Sequence, residues 1–95
     1  MKAYWVVRGH ILDIEEYSKY IELAGPIIKK YQGIFLARGG RQVELEGSGY
    51  DRTVLIEFKS YEQALLCYQS DDYKQALIHV SKSANRLVAI VEGVE

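Results

Sequence analysis

Two kinds of apolar periodicity alternate along this chain, and their order restricts its fold more than any other feature. Ala3 to Ile11 is crowded with aromatic and β-branched residues that suit a pleated strand. Asp13 then reads as a helix N-cap, with Glu16 placed to reach back to the cap backbone. From there Ile14, Tyr17, Ile21, Ala24, Ile28 and Tyr31 recur at spacings of three and four, which puts them on one stripe of a helix. Gly25-Pro26 interrupts the stripe. Proline lacks an N–H and clashes with the preceding turn, which predicts a kink or a break into two helical pieces. Gly33 reads as the left-handed cap that ends the helical region.

Ile34 to Arg38 predicts a second strand. Gly39-Gly40 is either a tight turn or a bulge, and the favoured reading carries a bent strand on through Arg41 to Glu46. Gly47-Ser48-Gly49 marks a turn, and Arg52 to Lys59 a third strand. Ser60 opens the next helix with Gln63 at the capping-box position, and Tyr61, Ala64, Leu65 and Tyr68 give its apolar side. Ser70, Asp71 and Asp72 re-cap a continuation, since carboxylates favour the positive end of a helix. Tyr73, Ala76, Leu77 and Val80 form its stripe, and Arg86 to Glu92 is the last strand.

The resulting order is strand, helix, strand, strand, helix, strand. Such an order predicts one α+β, ferredoxin-like βαββαβ domain over residues 1–95. Its four-stranded antiparallel sheet carries both helices on one face. The other face keeps leucines, valines and isoleucines among its charges, and an uncovered apolar surface usually marks an interface. A two-fold homodimer that closes two such faces together is the expected solution.

Composition narrows the function classes. Formal net charge is −1 and the only adjacent basic pair is Lys29-Lys30, so no nucleic-acid footprint is present. Charges interrupt every apolar stretch, which argues against a membrane span. Arg8 and His10 follow the first apolar run too soon for a signal peptide, so a cytoplasmic location is expected. Cys67 is the single cysteine and lies between Leu66 and Tyr68, which predicts a buried, unreactive thiol. With two histidines and one cysteine, neither a metal site nor a cofactor is expected.

Several segments carry a resemblance to a known group. Tyr4-Trp5-Val6-Val7-Arg8, Gly33-Ile34-Phe35-Leu36-Ala37-Arg38-Gly39-Gly40 and Val54-Leu55-Ile56-Glu57-Phe58 resemble an uncharacterised bacterial domain-of-unknown-function family. Ser70-Asp71-Asp72-Tyr73 and Val91-Glu92-Gly93-Val94 match its later segments. The family belongs to the dimeric α+β barrel superfamily, so the resemblance implies that fold and a dimer, and no established activity. Superfamily relatives include cofactor-free monooxygenases, isomerases, haem-degrading enzymes and ligand-sensing domains, and fold alone does not choose among them. The haem-degrading relatives use a helix histidine as iron ligand. His79 lies on a comparable helix, but strand one lacks the asparagine expected beside it, so His79 reads as a surface residue.

Strand alternation then ranks the polar residues. Tyr4, Val6, Arg8 and His10 share one face of strand one, Ile34, Leu36 and Arg38 one face of strand two, and Leu55 and Glu57 one face of strand three. If Val54, Ile56 and Phe58 face the helices, then Arg8, His10, Arg38 and Glu57 gather on the open face. Arg8 and Arg38, with Tyr4, are the expected ligand-binding residues, because an arginine fork matches a carboxylate. His10 and Glu57 are the expected catalytic bases. Arg52 and Arg41 are expected to be solvated. The function expected is that of a small dimeric protein holding an aromatic or carboxylate-bearing molecule between sheet and helices, as a cofactor-free oxygenase or isomerase. The alternatives are a non-catalytic ligand-sensing module and a purely structural dimer.

Overall fold

The computed structural model describes residues 1–94. Its strands are β1 (Ala3–Ile11), β2 (Ile34–Arg38), β3 (Arg52–Phe58) and β4 (Ala84–Glu92), and its helices α1 (Ile14–Lys30), α2 (Tyr61–Gln69) and α3 (Asp71–Ser83). The sheet is antiparallel with order β2-β3-β1-β4, which is the ferredoxin-like arrangement the periodicity predicts. Ala3, Trp5 and Val7 from β1 and Val54, Ile56 and Phe58 from β3 are buried under the helices. Facing them are Tyr17, Tyr20, Ala24 and Ile28 of α1, Ala64 and Cys67 of α2, and Tyr73, Ala76 and Val80 of α3. Burial pushes the Cys67 thiol up to about 12, which keeps it protonated and inert.

The caps explain where the helices start. The Asp13 carboxylate accepts from the backbone N–H groups of Glu15 and Glu16. Glu16, however, does not reach back to the cap. Its side chain crosses to α3 and meets His79 Nδ1 at 2.6 Å, and that hydrogen bond, against the opposing effect of partial burial, holds the Glu16 carboxyl below its usual range. His79 is thereby part of the contact between α1 and α3. Ser60 caps α2 through the Gln63 N–H, while the Gln63 amide donates to the Tyr31 carbonyl beyond the end of α1. Ser70 ends α2 and caps α3 at the same residue.

Three local expectations are corrected. Gly25-Pro26 does not break α1, which runs unbroken through Lys30. Pro26 and Glu22 both lie on the exposed side of the helix, so the carbonyl that proline leaves without a donor faces water. The left-handed residue after α1 is Gln32 (φ 64°), not Gly33. Gly33 N–H then bonds the Ile28 carbonyl and Gln32 N–H the Lys29 carbonyl, a Schellman closure. Finally, Arg41 to Glu46 forms no strand, and the bulge lies earlier, between Phe35 and Ala37. The segment after Gly40 instead folds over the open face: Thr53 donates to the Gln42 amide oxygen, and the Gln42 amide and Arg8 both donate to the Tyr50 carbonyl.

Candidate functional site

The bulge in β2 decides the position of the strongest sequence candidate. Phe35 pairs with Ile56, Ala37 with Leu55 and Arg38 with Val54. One extra residue therefore lies between Phe35 and Ala37, and it reverses the alternation beyond it. Arg38 consequently shares the helix-facing side with Phe35, and its guanidinium carbon stands 4.1 Å from the Phe35 ring centroid. It does not join Arg8, His10 and Glu57 on the open face. Its own place is the exposed rim of a cleft between α1 and the sheet, close to Gly25 of α1.

Two more arginines line that cleft. Arg52 of β3 and Arg86 of β4 both pair with Gly9 of β1, so they flank a residue without a side chain, in the row next to Val54, Val7 and Val88. A Cβ on Gly9 would stand 3.3 Å from the Arg86 side chain, and one on Gly39 would collide with the Arg52 guanidinium. Gly39 also has a positive φ of 69°, so both space and backbone favour glycine there. Tyr17, Tyr20 and Phe35 supply aromatic walls, with the Arg52 guanidinium 5.6 Å from the Tyr17 ring and that of Arg86 5.1 Å from the Tyr20 ring.

The electrostatics of this cleft are one-sided. Among the described residues no carboxylate forms an ion pair with Arg38, Arg52 or Arg86, and none lines the cleft. Arg86 donates instead to the phenol oxygens of Tyr20 (3.1 Å) and Tyr73 (3.4 Å), which are themselves 2.7 Å apart. Burial opposes the charge on Arg86, but those oxygens outweigh it and hold the guanidinium above its ordinary range. Burial, reinforced by Tyr20, raises the Tyr73 phenol well above its own range, so it stays a neutral donor and acceptor. The Arg52 Nε–H is buried without a hydrogen-bond partner. A buried donor without an acceptor is costly unless something fills the place.

The other sequence candidates occupy the open face but do not converge. Glu57 pairs across the sheet with Tyr4, and its carboxylate takes Lys2 at 3.3 Å. His10 lies at the far end of β1, six residues from Tyr4, or about 20 Å along a strand. Its Nδ1 is 3.1 Å from the Asp51 carboxylate, whose pKa that contact lowers. Arg8 sits between them, bonded to the Tyr50 carbonyl at 3.0 Å and 3.6 Å from Glu44. His10 is linked with the arginine cleft in two places: with Asp51, Gly39 and Arg52 it lines a depression of about 260 Å³, and with Gly9, Arg52 and Arg86 a smaller cavity.

Sequence reasoning missed Arg52 and Arg86 as site residues, although a signal was present. Arg52 is in phase with Val54, Ile56 and Phe58, and Arg86 with Val88 and Ile90, so both had to point toward the helices. Arg52 is accordingly half-buried rather than solvated. Among the described residues no group of three or more histidine, cysteine, aspartate or glutamate side chains is placed to hold a metal ion. Among the described residues no helix is long and apolar enough to cross a membrane.

Solved structures share this fold at low sequence identity. A protein of unknown function from Rhodopseudomonas palustris superposes with a TM-score of 0.79 at 15% identity, covering 99% of this chain and 83% of its own. The cofactor-independent oxygenase SnoaB from Streptomyces nogalater gives a TM-score of 0.67 at 7% identity, over 99% of this chain and 94% of SnoaB. A dimeric ferredoxin-like protein of unknown function from Thermobifida fusca gives 0.57 at 14% identity, over 95% of this chain and 89% of that one. Among curated proteins none matches. Residues 2–94 match a family described as a domain of unknown function, so this chain, with its arginine-lined cleft, belongs to the DUF1330 family.

Proposed function

We propose that this protein binds a small aromatic, carboxylate-bearing molecule in the cleft between α1 and the sheet. The observation that carries the reading is the convergence of Arg38, Arg52 and Arg86 on one aromatic-walled cleft with no carboxylate to neutralise them. Structural arginines in a half-buried position normally find an acidic partner, because an uncompensated charge is expensive to desolvate. An anionic ligand supplies that partner, and a guanidinium fork fits a carboxylate in two parallel hydrogen bonds. The free space within the walls is about 30 Å³, room for a water or two, so ligand binding requires side chains at the rim to shift.

Turnover of the cofactor-free oxygenase or isomerase kind is the catalytic form of this reading. The fold shared with SnoaB supports it by analogy only. His10 is the base in this form: Asp51 orients its ring at the mouth of the cleft, beside Arg52. Arg38 at the rim orients the substrate. Glu57, Tyr4 and Arg8 belong to the open face, where the second part of the proposal applies. Ile34, Leu87 and Val91 are exposed there beside Val6 and Leu55, and a second copy of the chain covers them. Light scattering at micromolar concentration should give twice the chain mass. A monomer there removes the homodimer from the reading.

The cleft is tested by a thermal-shift panel of aromatic acids, quinols and small lactones on wild type and Arg52→Met. Ligand binding to the folded state raises Tm by mass action, by about 2.7 kcal/mol of stability at a hundredfold excess over Kd. Aromatic acids should shift wild type and leave Arg52→Met nearly unmoved. Equal shifts in both proteins place the ligand elsewhere. Turnover itself separates the two forms of the reading, since His10→Ala should lose kcat and keep affinity.

A further inference from the structure

The three arginines are not equivalent, and their arrangement specifies the ligand more closely. Arg52 and Arg86 stand on either side of Gly9, on the two strands that flank β1. Neighbouring strands lie about 4.8 Å apart, so the two backbones are about 10 Å apart. The Arg86 side chain leans over Gly9 and the Arg52 guanidinium lies against Gly39, and the two side chains, with Val7, Val54 and Tyr17, line one small cavity in which they can share an anionic group. Arg38 is separate. It leaves the outer strand β2 in register with Val54, one row further along the sheet, and its guanidinium lies over Phe35 beside Gly25. Val7, Val54, Ile21 and Ala24 add apolar lining to the same cleft.

Resting on the cleft reading above, we infer that the preferred ligand is a dianion. It carries two acidic groups held apart by a planar ring, one taken by Arg52 and Arg86 and the other by Arg38. Charge count supports this reading. Three guanidinium groups with no carboxylate among them leave a monoanion's site with two uncompensated positive charges. Donor count agrees: the buried Arg52 Nε–H has no acceptor, while the Arg86 side chain reaches only the hydroxyls of Tyr20 and Tyr73. Tyr17, Tyr20 and Phe35 match a flat ring between the two charged ends. An acceptor at the Arg52 end and a second one at the rim satisfy both features in one molecule.

The test is isothermal titration of the intact protein with isophthalate (benzene-1,3-dicarboxylate), benzoate and inorganic phosphate, repeated on Arg38→Met and Arg52→Met. Isophthalate should bind wild type at least about tenfold more tightly than benzoate, the gain expected from one further charge-assisted contact. Arg38→Met should bring isophthalate down to the affinity of benzoate while changing benzoate less than twofold. Circular dichroism confirms that this rim substitution keeps the fold. Benzoate that binds wild type as well as isophthalate, and weakens in Arg52→Met, overturns the dianion and leaves the cleft reading standing. Phosphate matching isophthalate overturns the separation of the two charges. No binding by any of the three overturns both inferences together.

Discussion

Trp5→Ala should lower the stability of the domain by about 4 kcal/mol, the range for removing a large aromatic side chain from a packed core. Trp5 is 1% exposed and sits where β1 meets both C-terminal helices. Its ring lies 5.2 Å from that of Phe58, 5.6 Å from Tyr68 and 5.1 Å from Tyr73, the last two edge-on. The indole N–H also donates to the Ala64 carbonyl of α2 at 3.0 Å, so the side chain ties helix to sheet by a polar contact as well. No neighbour can move in without dismantling that aromatic cluster, so collapse around the cavity is limited. Stability near 0.05–0.15 kcal/mol per residue gives a chain of 95 residues roughly 5–14 kcal/mol in all. The loss is therefore a large share of the total. Urea unfolding at equal protein concentration should show the midpoint falling by about 2 M or more for a typical slope. A loss under about 1.5 kcal/mol would show that Trp5 packs far more loosely than its contacts indicate. Trp5→Phe should keep most of the packing and lose chiefly the hydrogen bond, a cost of about 1 kcal/mol beyond the smaller ring.

The turn after α1 gives a second expected result, in which two adjacent substitutions have opposite signs. Gly33→Ala should destabilise by about 1–3 kcal/mol through overpacking. A Cβ there would lie 2.6 Å from Ile28 Cγ2 and 3.0 Å from two atoms of the Phe58 ring. Ile28 and Phe58 are both core residues, and the Gly33 N–H closes the helix on the Ile28 carbonyl at 2.9 Å. The chain therefore cannot back away without losing the cap. Gln32→Gly should stabilise instead, by about 0.5–1 kcal/mol, because Gln32 holds φ at 64° where side chains are strained. The general cost of added glycine freedom in the unfolded chain reduces that gain but does not reverse it. Denaturation of both variants beside wild type decides the matter. A neutral Gly33→Ala would show that the turn has room for a Cβ, and a costly Gln32→Gly would show that the left-handed Gln32 is not strained.

The Gly33 position also shows why a correct signal can carry the wrong reason. From sequence, a glycine after a helical stripe reads as a left-handed cap, and the helix does end there. The need for glycine comes from Ile28, five residues back, together with Phe58, twenty-five residues further along, which only the packed sheet brings against the turn. The same distinction separates the caps. Asp13, Ser60 and Ser70 act on backbone groups two or three residues away, and all three cap as their sequence indicates. Glu16 and Gln63 had equally local roles available and took partners across the fold, His79 and the Tyr31 carbonyl. Their long side chains reach groups that lie far off in sequence.

Site residues divide along the same line. The faces of β1 and β3 follow from strict alternation, so Arg8, His10 and Glu57 lie on the open face as the pattern indicates. Convergence does not follow, because residues on one face of a nine-residue strand are up to tens of ångströms apart. Arg38 changes sides because of one bulged residue whose place no apolar pattern marks, as Phe35-Leu36-Ala37 reads equally well without it.

What this sequence determined by itself is everything governed by short-range periodicity and capping. That includes the order and type of the elements, the antiparallel α+β class, the aromatic core and the uncovered apolar sheet face. Such features depend on each residue's neighbours within a turn or a pleat, and those neighbours are written in the chain. Only the tertiary structure decided that α1 stays whole at Pro26, that Arg38 turns to the helix-facing side of the sheet, and that Arg52 and Arg86 line the same cleft with it. These outcomes depend on which surfaces face water and on registry between strands far apart in sequence, where one inserted residue reverses every side chain beyond it.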